Sequence, residues 1–138
     1  MIQLNTGFHF DDLPVGTRFR SRARTVTEAD LVSFVNLSWL HEELFTDTSD
    51  RTHMAIPGRV VPGALVYAFA EGLITPSMQG TGLAFLHAEL DIAAPTFVGD
   101  TIHVECEVIE QRATSKPGRG LVRTRNVVHN QHLSLIHI

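Results

Sequence analysis

Two hydrophobic periods alternate along the chain and lay out its elements. From Thr17 to Val26 the period is two, with Arg18, Arg20, Arg22 and Arg24 on one face and Phe19, Ala23 and Thr25 on the other. That predicts a strand, entered through a Pro14-Val15-Gly16 turn. The period then lengthens. Leu31, Phe34, Val35 and Ser38 follow i, i+3, i+4, i+7, the buried face of a helix, with Thr27 as its N-cap and Glu28 and Asp30 in its first turn. Thr46–Ile56 is polar and reads as a loop with a short helical turn, closed by Pro57-Gly58. A second helix starts from Val61, with Pro62 at its entry, and is apolar nearly all round, which predicts a buried helix; Gly72 and Pro76 mark its end.

The rest alternates with period two. Leu83–Ile92 reads as a strand, broken by Ala93-Ala94-Pro95. Val98-Gly99-Asp100 reads as a turn. Ile102, Val104, Cys106 and Val108 then alternate with Thr101, His103, Glu105 and Glu107 as a half-exposed strand. Ser115–Gly120 is a turn and Leu121–His129 the next strand. The order predicts an α+β fold in which an antiparallel sheet wraps around one central apolar helix. One domain is expected over residues 1–131. The tail, 132–138, breaks the pattern. It reads as a truncated or artefactual end, or as a short edge strand over Leu133–Ile138.

Composition narrows the function classes. The chain has 138 residues, 43% hydrophobic and 19% charged, with net charge −4. That suits one globular domain and gives no broad attraction to nucleic acid. The single cysteine, Cys106, excludes an internal disulfide and a CxxC metal site. No metal-ligand spacing and no dinucleotide fingerprint occurs, so neither metal nor cofactor is expected. No signal peptide is visible and no apolar run reaches membrane-spanning length, so a cytoplasmic protein without membrane attachment is expected.

Chemistry concentrates between the two helices. Asn36, Ser38, His41, Glu42 and Glu43 gather at the end of the first, and Pro62-Gly63 opens the second. A polar cluster facing the start of a buried helix can bind and polarise a carbonyl.

The segments FDDLPVGTRF, TVTEADLVSF, LFTD, PGALV and APTFVGDTI resemble the MaoC-like dehydratases, the (R)-specific enoyl-CoA hydratases of the hotdog fold. The resemblance spans nearly the whole chain. It implies reversible addition of water to an enoyl thioester of the acyl-CoA type, in a homodimer. The family's Asp-x-Asn-Pro-x-His motif, followed two residues later by an acid, falls on Asn36 through His41 and on Glu43. Only the His and the trailing acid match. Asn36 replaces the acid, Ser38 the Asn and Trp39 the Pro, and the family's His-Gly falls on Pro62-Gly63. Glu42 with Leu44-Phe45 is similar to one branch of the family.

His41 reads either as the group that does the acid–base work or as a surface histidine at a helix C-terminus, while Asn36 can orient water but is no base. Gly63 reads either as the N–H donor for the thioester carbonyl or as a close-packing position. Glu42 or Glu43 either replaces the missing acid or is a solvated helix end. Trp39 either walls an acyl pocket or packs in the core or an interface, and Arg59 is a candidate for an anionic group. Ser38 and Pro62 complete the candidate substrate contacts. Two other functions remain open: a silent acyl-thioester-binding or partner subunit, suggested by Asn36, and a thioesterase using Glu42, Glu43 or Glu71.

Overall fold

The computed structural model describes residue 1, residues 6–82 and 84–132, and the backbone of 135–137. In chain order the elements are β1 (Arg18–Arg20), β2 (Arg24–Thr25), α1 (Glu28–Ser38), α2 (Glu43–Thr46), α3 (Gly63–Ile74), β3 (Thr101–Ala113), β4 (Gly120–His129) and β5 (Leu135–His137). All pairings are antiparallel, in the order β1-β3-β4-β5, with β2 also on β3. The sheet is open, and α3 packs against it.

β3 forms the spine, pairing with β1, β2 and β4, and its alternation is interrupted at His103, which was expected on the half-exposed face but is buried. Ile102, Val104, Cys106 and Val108 are buried. The first three join Leu65, Val66, Ala70, Leu73 and Ile74 of α3 and Leu31 and Val35 of α1 in one core. Burying each large side chain contributes about 1.5–3 kcal/mol. Burial pushes the Cys106 thiol up to about 12, so it is a small core residue and not a nucleophile.

The expected strand Thr17–Val26 is divided in two. Arg20 pairs with Glu105 and Arg24 with Ile102, so four steps on one strand oppose three on the other. Ser21 makes this bulge. Its N–H donates to the Val104 carbonyl and its Oγ accepts from the Val104 N–H, while the hydroxyl donates to the Arg22 carbonyl. The extra residue flips the alternation. Arg18 and Arg20 oppose Glu107 and Glu105, whereas Arg24 turns over the Phe69 ring of α3 at 3.7 Å. The arginines therefore do not share one face.

α1 starts where its capping signal lies. Thr27 Oγ1 accepts from the Asp30 N–H at 3.1 Å, and Asp30 Oδ2 accepts from the Thr27 N–H at 2.9 Å. The short helical turn comes earlier than expected, as α2. α3 is not enclosed on all sides: Ala64, Ala68 and Gly72, four residues apart, leave an exposed face of small groups.

Leu83–Ile92 departs most from expectation. Leu83 lies outside the described residues. Residues 84–92 pair with no strand among the described residues, and their side chains are exposed. Phe85, Leu86, Leu90 and Ile92 all stand in solvent. The alternation is that of a strand, but a strand needs a partner and none pairs with it among the described residues. At the C-terminus, β5 pairs with β4 at Val128 and His129, inside the edge strand read over Leu133–Ile138; residues 133, 134 and 138 lie outside the described residues.

Candidate active site

α1 ends at Trp39, which takes φ 64°, a left-handed cap more usual for glycine. This cap folds the chain back on itself. The His41 N–H donates to the Trp39 carbonyl at 2.9 Å and the Glu42 N–H to the Leu40 carbonyl at 3.0 Å. The imidazole returns to the last turn of α1, where His41 Nε2 lies 3.3 Å from Asn36 Oδ1. An amide oxygen only accepts, so a hydrogen bond between them requires the proton on Nε2 and, in the neutral ring, leaves the lone pair on Nδ1. Both side chains are exposed.

The neighbouring candidates separate. The Ser38 hydroxyl donates to the Phe34 carbonyl at 2.6 Å, closing its own helix. Trp39 is 81% exposed. Glu42 is the N-cap of α2 through its main chain, and its side chain makes no capping bond. Glu43 lies 4.0 Å from His53 Nε2 at the surface.

The second half of the site is the start of α3. The Pro62 carbonyl accepts from the Leu65 and Val66 N–H groups at 3.0 and 3.3 Å. The N–H groups of Gly63 and Ala64 have no partner among the described residues. They are the free donors of a helix N-terminus, where the dipole adds positive potential. The chain entering α3 is fixed by the Val61 N–H on the Thr96 carbonyl, the Val98 N–H on the Arg59 carbonyl and a bridge between Val60 and Phe97.

Beside these donors lies a cleft of about 390 Å³. Leu44 and Phe45 of α2 form one wall, Ile56 and the run Val60–Gly63 another, and residues 92–96 a third. Thr96 is the one polar side chain in the lining. Ile92 lies so close over Gly63 that a Cβ there would collide with it. Gly63 therefore combines the close approach of Ile92 with an N–H that has no partner among the described residues. Pro62 lines the cleft; Asn36 and His41 do not.

Two arginines brace this region. The Nε and Nη2 groups of Arg59 hold the Glu28 carboxylate, and Nη1 donates to the Phe45 carbonyl. Hydrogen bonding from Arg59 holds Glu28 below the usual carboxylate range. Arg59, expected to meet a substrate anion, is thus engaged in tying α1 to α2. Arg51, which sequence reasoning missed, donates to the carbonyls of Leu44, Asp47, Pro57 and Gly58. An arginine in a polar loop carries no signal of such a role.

Among the described residues no group of His, Cys, Asp and Glu could hold a metal ion. No helix there is long and apolar enough to cross a membrane.

Solved structures with this architecture include the MaoC-like dehydratase from Rhodospirillum rubrum, at TM-score 0.84 and 26% identity over 95% of this chain and 91% of that one. The (R)-hydratase from A. caviae involved in PHA biosynthesis matches at TM-score 0.75 and 26% identity, over 91% of each chain. Rv0216 from Mycobacterium tuberculosis, with a double hotdog fold, matches at TM-score 0.64 and 25% identity, over 99% of this chain and 43% of that one. The chain has the hotdog fold. No protein-family model matches the sequence, and no curated protein sequence matches it. Two of these three are named for an activity, one as a dehydratase and one as an (R)-hydratase, in line with the resemblance in the sequence.

Proposed function

We propose that this hotdog protein adds water to, or removes it from, enoyl thioesters of the acyl-CoA type. Two observations support the reading: the pairing of His41 with Asn36, and a separate apolar cleft, which neither side chain lines, with a helix N-terminus bearing free N–H groups at one end. The acyl chain lies in the apolar cleft beside Leu44 and Phe45. The thioester carbonyl accepts from the Gly63 and Ala64 N–H groups.

Hydration then runs in two proton transfers. His41 Nδ1 takes a proton from water as the water oxygen bonds to the β-carbon. The electron pair of the double bond moves into the thioester, and the enolate oxygen is held at the helix N-terminus, where negative charge is most stabilised. The imidazolium returns its proton to the α-carbon, and no other reactant is consumed. Asn36 holds the ring in place. An amide cannot share the proton load, so the reaction is slower than with a carboxylate there.

The working unit in this reading is a homodimer. Residues 84–92 keep the alternation of a strand and present four large apolar side chains and an unpaired backbone edge. The same segment of a second copy is the partner that such an edge fits.

Asn36 also supports a second reading, in which the protein binds an acyl thioester, or a catalytic partner subunit, without turning the thioester over. One assay separates the two. Loss of the crotonyl-CoA enoyl absorbance, with free thiol followed in parallel, is expected with wild type and strongly reduced with His41→Ala. Binding without enoyl loss points to the silent subunit. Thiol release alone overturns the hydratase reading in favour of a thioesterase.

A further inference from the structure

The guanidinium of Arg51 joins two walls of the cleft. Its Nη1 and Nη2 groups reach the Asp47 and Leu44 carbonyls, at 2.7 and 2.9 Å, on the α2 side. Its Nε and Nη2 groups reach the Pro57 and Gly58 carbonyls, at 2.9 and 2.7 Å, on the segment that enters α3. Leu44 lines the cleft directly, and Ile56 and Val60 flank the Pro57-Gly58 step. Gly58 is pinned from its other side as well, because a Cβ there would meet the Phe97 ring at 2.6 Å. No carboxylate takes part, so this is not an ion pair like that of Arg59. It is a planar fork whose donors fit four fixed carbonyls, a pattern that a lysine ammonium cannot reproduce.

We propose that Arg51 is a positioning residue that sets the width of the cleft and thereby the length of acyl chain it accepts. The proposal rests on the reading of the cleft as an acyl site. α2 is a single helical turn, too short to hold its own place. What fixes its Leu44–Phe45 wall is Arg51 from below and Arg59 through the Phe45 carbonyl. Without the guanidinium, the four carbonyls turn to water. The segment between Asp47 and Gly58 loses its clasp, and the wall moves outwards.

The test is calorimetric binding of butyryl-, hexanoyl- and octanoyl-CoA to wild type, Arg51→Lys and Arg51→Ala. Thermal unfolding of each is followed alongside. The ratio of octanoyl to butyryl affinity is expected to rise about tenfold or more in Arg51→Ala, the order of effect that methylene-scale pocket changes produce. Arg51→Lys falls between. Guanidinium added at a low, non-denaturing concentration restores the wild-type ratio in Arg51→Ala, which a purely structural role does not predict. Where Arg51→Ala fails to fold, Arg51→Lys carries the same comparison. Folded variants with an unchanged chain-length ratio overturn this inference and leave the acyl-thioester reading standing. Wild type that binds none of the three overturns both.

Discussion

Asn36 and His41, five residues apart, meet at 3.3 Å because the left-handed turn at Trp39 folds the chain back onto α1. The contact joins a group able to exchange a proton with one that can only orient it. Replacing Asn36 by Asp puts a carboxylate beside the imidazole, which favours its protonated form and strengthens it as a base. Turnover of crotonyl-CoA is expected to rise by about 10²-fold in Asn36→Asp, and to fall by a similar factor or more in His41→Ala, within the usual range for a positioned acid–base group. Both side chains are exposed, so unfolding midpoints should stay close to wild type. An Asn36→Asp protein no faster than wild type would show that the pair does not handle the proton.

Gly63 and Ile92 make the second prediction. A Cβ at position 63 would collide with the far end of the Ile92 side chain, which is itself 60% exposed and free to rotate away. Gly63→Ala should therefore cost stability only on the scale of a strained rotamer, about 0.5–1.5 kcal/mol. Acyl-CoA affinity should drop, because Ile92 leaves its place in the cleft wall. Adding Ile92→Ala to Gly63→Ala should recover the lost stability. Equal losses in the single and double variants, measured by urea unfolding, would show that the two positions are not coupled.

What was legible in the sequence is what short-range chemistry decides. Thr27 and Asp30 announce the start of α1, because a capping box needs only residues three apart. Ile102, Val104, Cys106 and Val108 announce the core face of β3 by their period alone. Asn36 and His41 stood out as a degraded motif. The bulge at Ser21 was not legible, since its hydroxyl partner is Val104, 83 residues away. Arg51 was not legible either, because its acceptors are main-chain carbonyls that every residue possesses. The pattern of Leu83–Ile92 is a true strand pattern, but pairing is a property of two segments and the sequence displays one.

His103 makes stability depend on pH. Its side chain is 8% exposed, its Nε2 lies 3.8 Å from the Glu105 carboxylate with no hydrogen-bond partner among the described residues, and it stacks on His129 with ring centroids 5.4 Å apart. Burial, and then the charge of Arg20, pushes its pKa below the ordinary histidine value, with Glu105 opposing. The folded protein thus holds this proton less tightly than the unfolded chain does. Its contribution is complete above the unfolded value, about 6.5, and is lost as pH falls through that value and below. Urea midpoints should fall on acidification from about pH 7.5 to about pH 5.5, and fall less in His103→Gln. Equal pH slopes in the two proteins would assign the dependence to other groups.

Ala88 tests the proposed homodimer with little effect on the single chain. It sits midway along residues 84–92, exposed and without a sheet partner among the described residues. Proline at that position removes an N–H that an inter-chain ladder would use, and its ring obstructs the neighbouring strand. Nothing in the core rests on Ala88, so Ala88→Pro should fold with nearly the wild-type thermal midpoint. Sedimentation velocity is expected to give twice the chain mass for wild type and the single-chain mass for the variant. The exposed Phe85, Leu86, Leu90 and Ile92 would then lose their cover, so the variant should also bind more of a hydrophobic dye. A wild type that sediments as a single chain would leave the apolar edge uncovered and remove the argument for a dimer. An Ala88→Pro protein that remains dimeric would move the interface away from this strand.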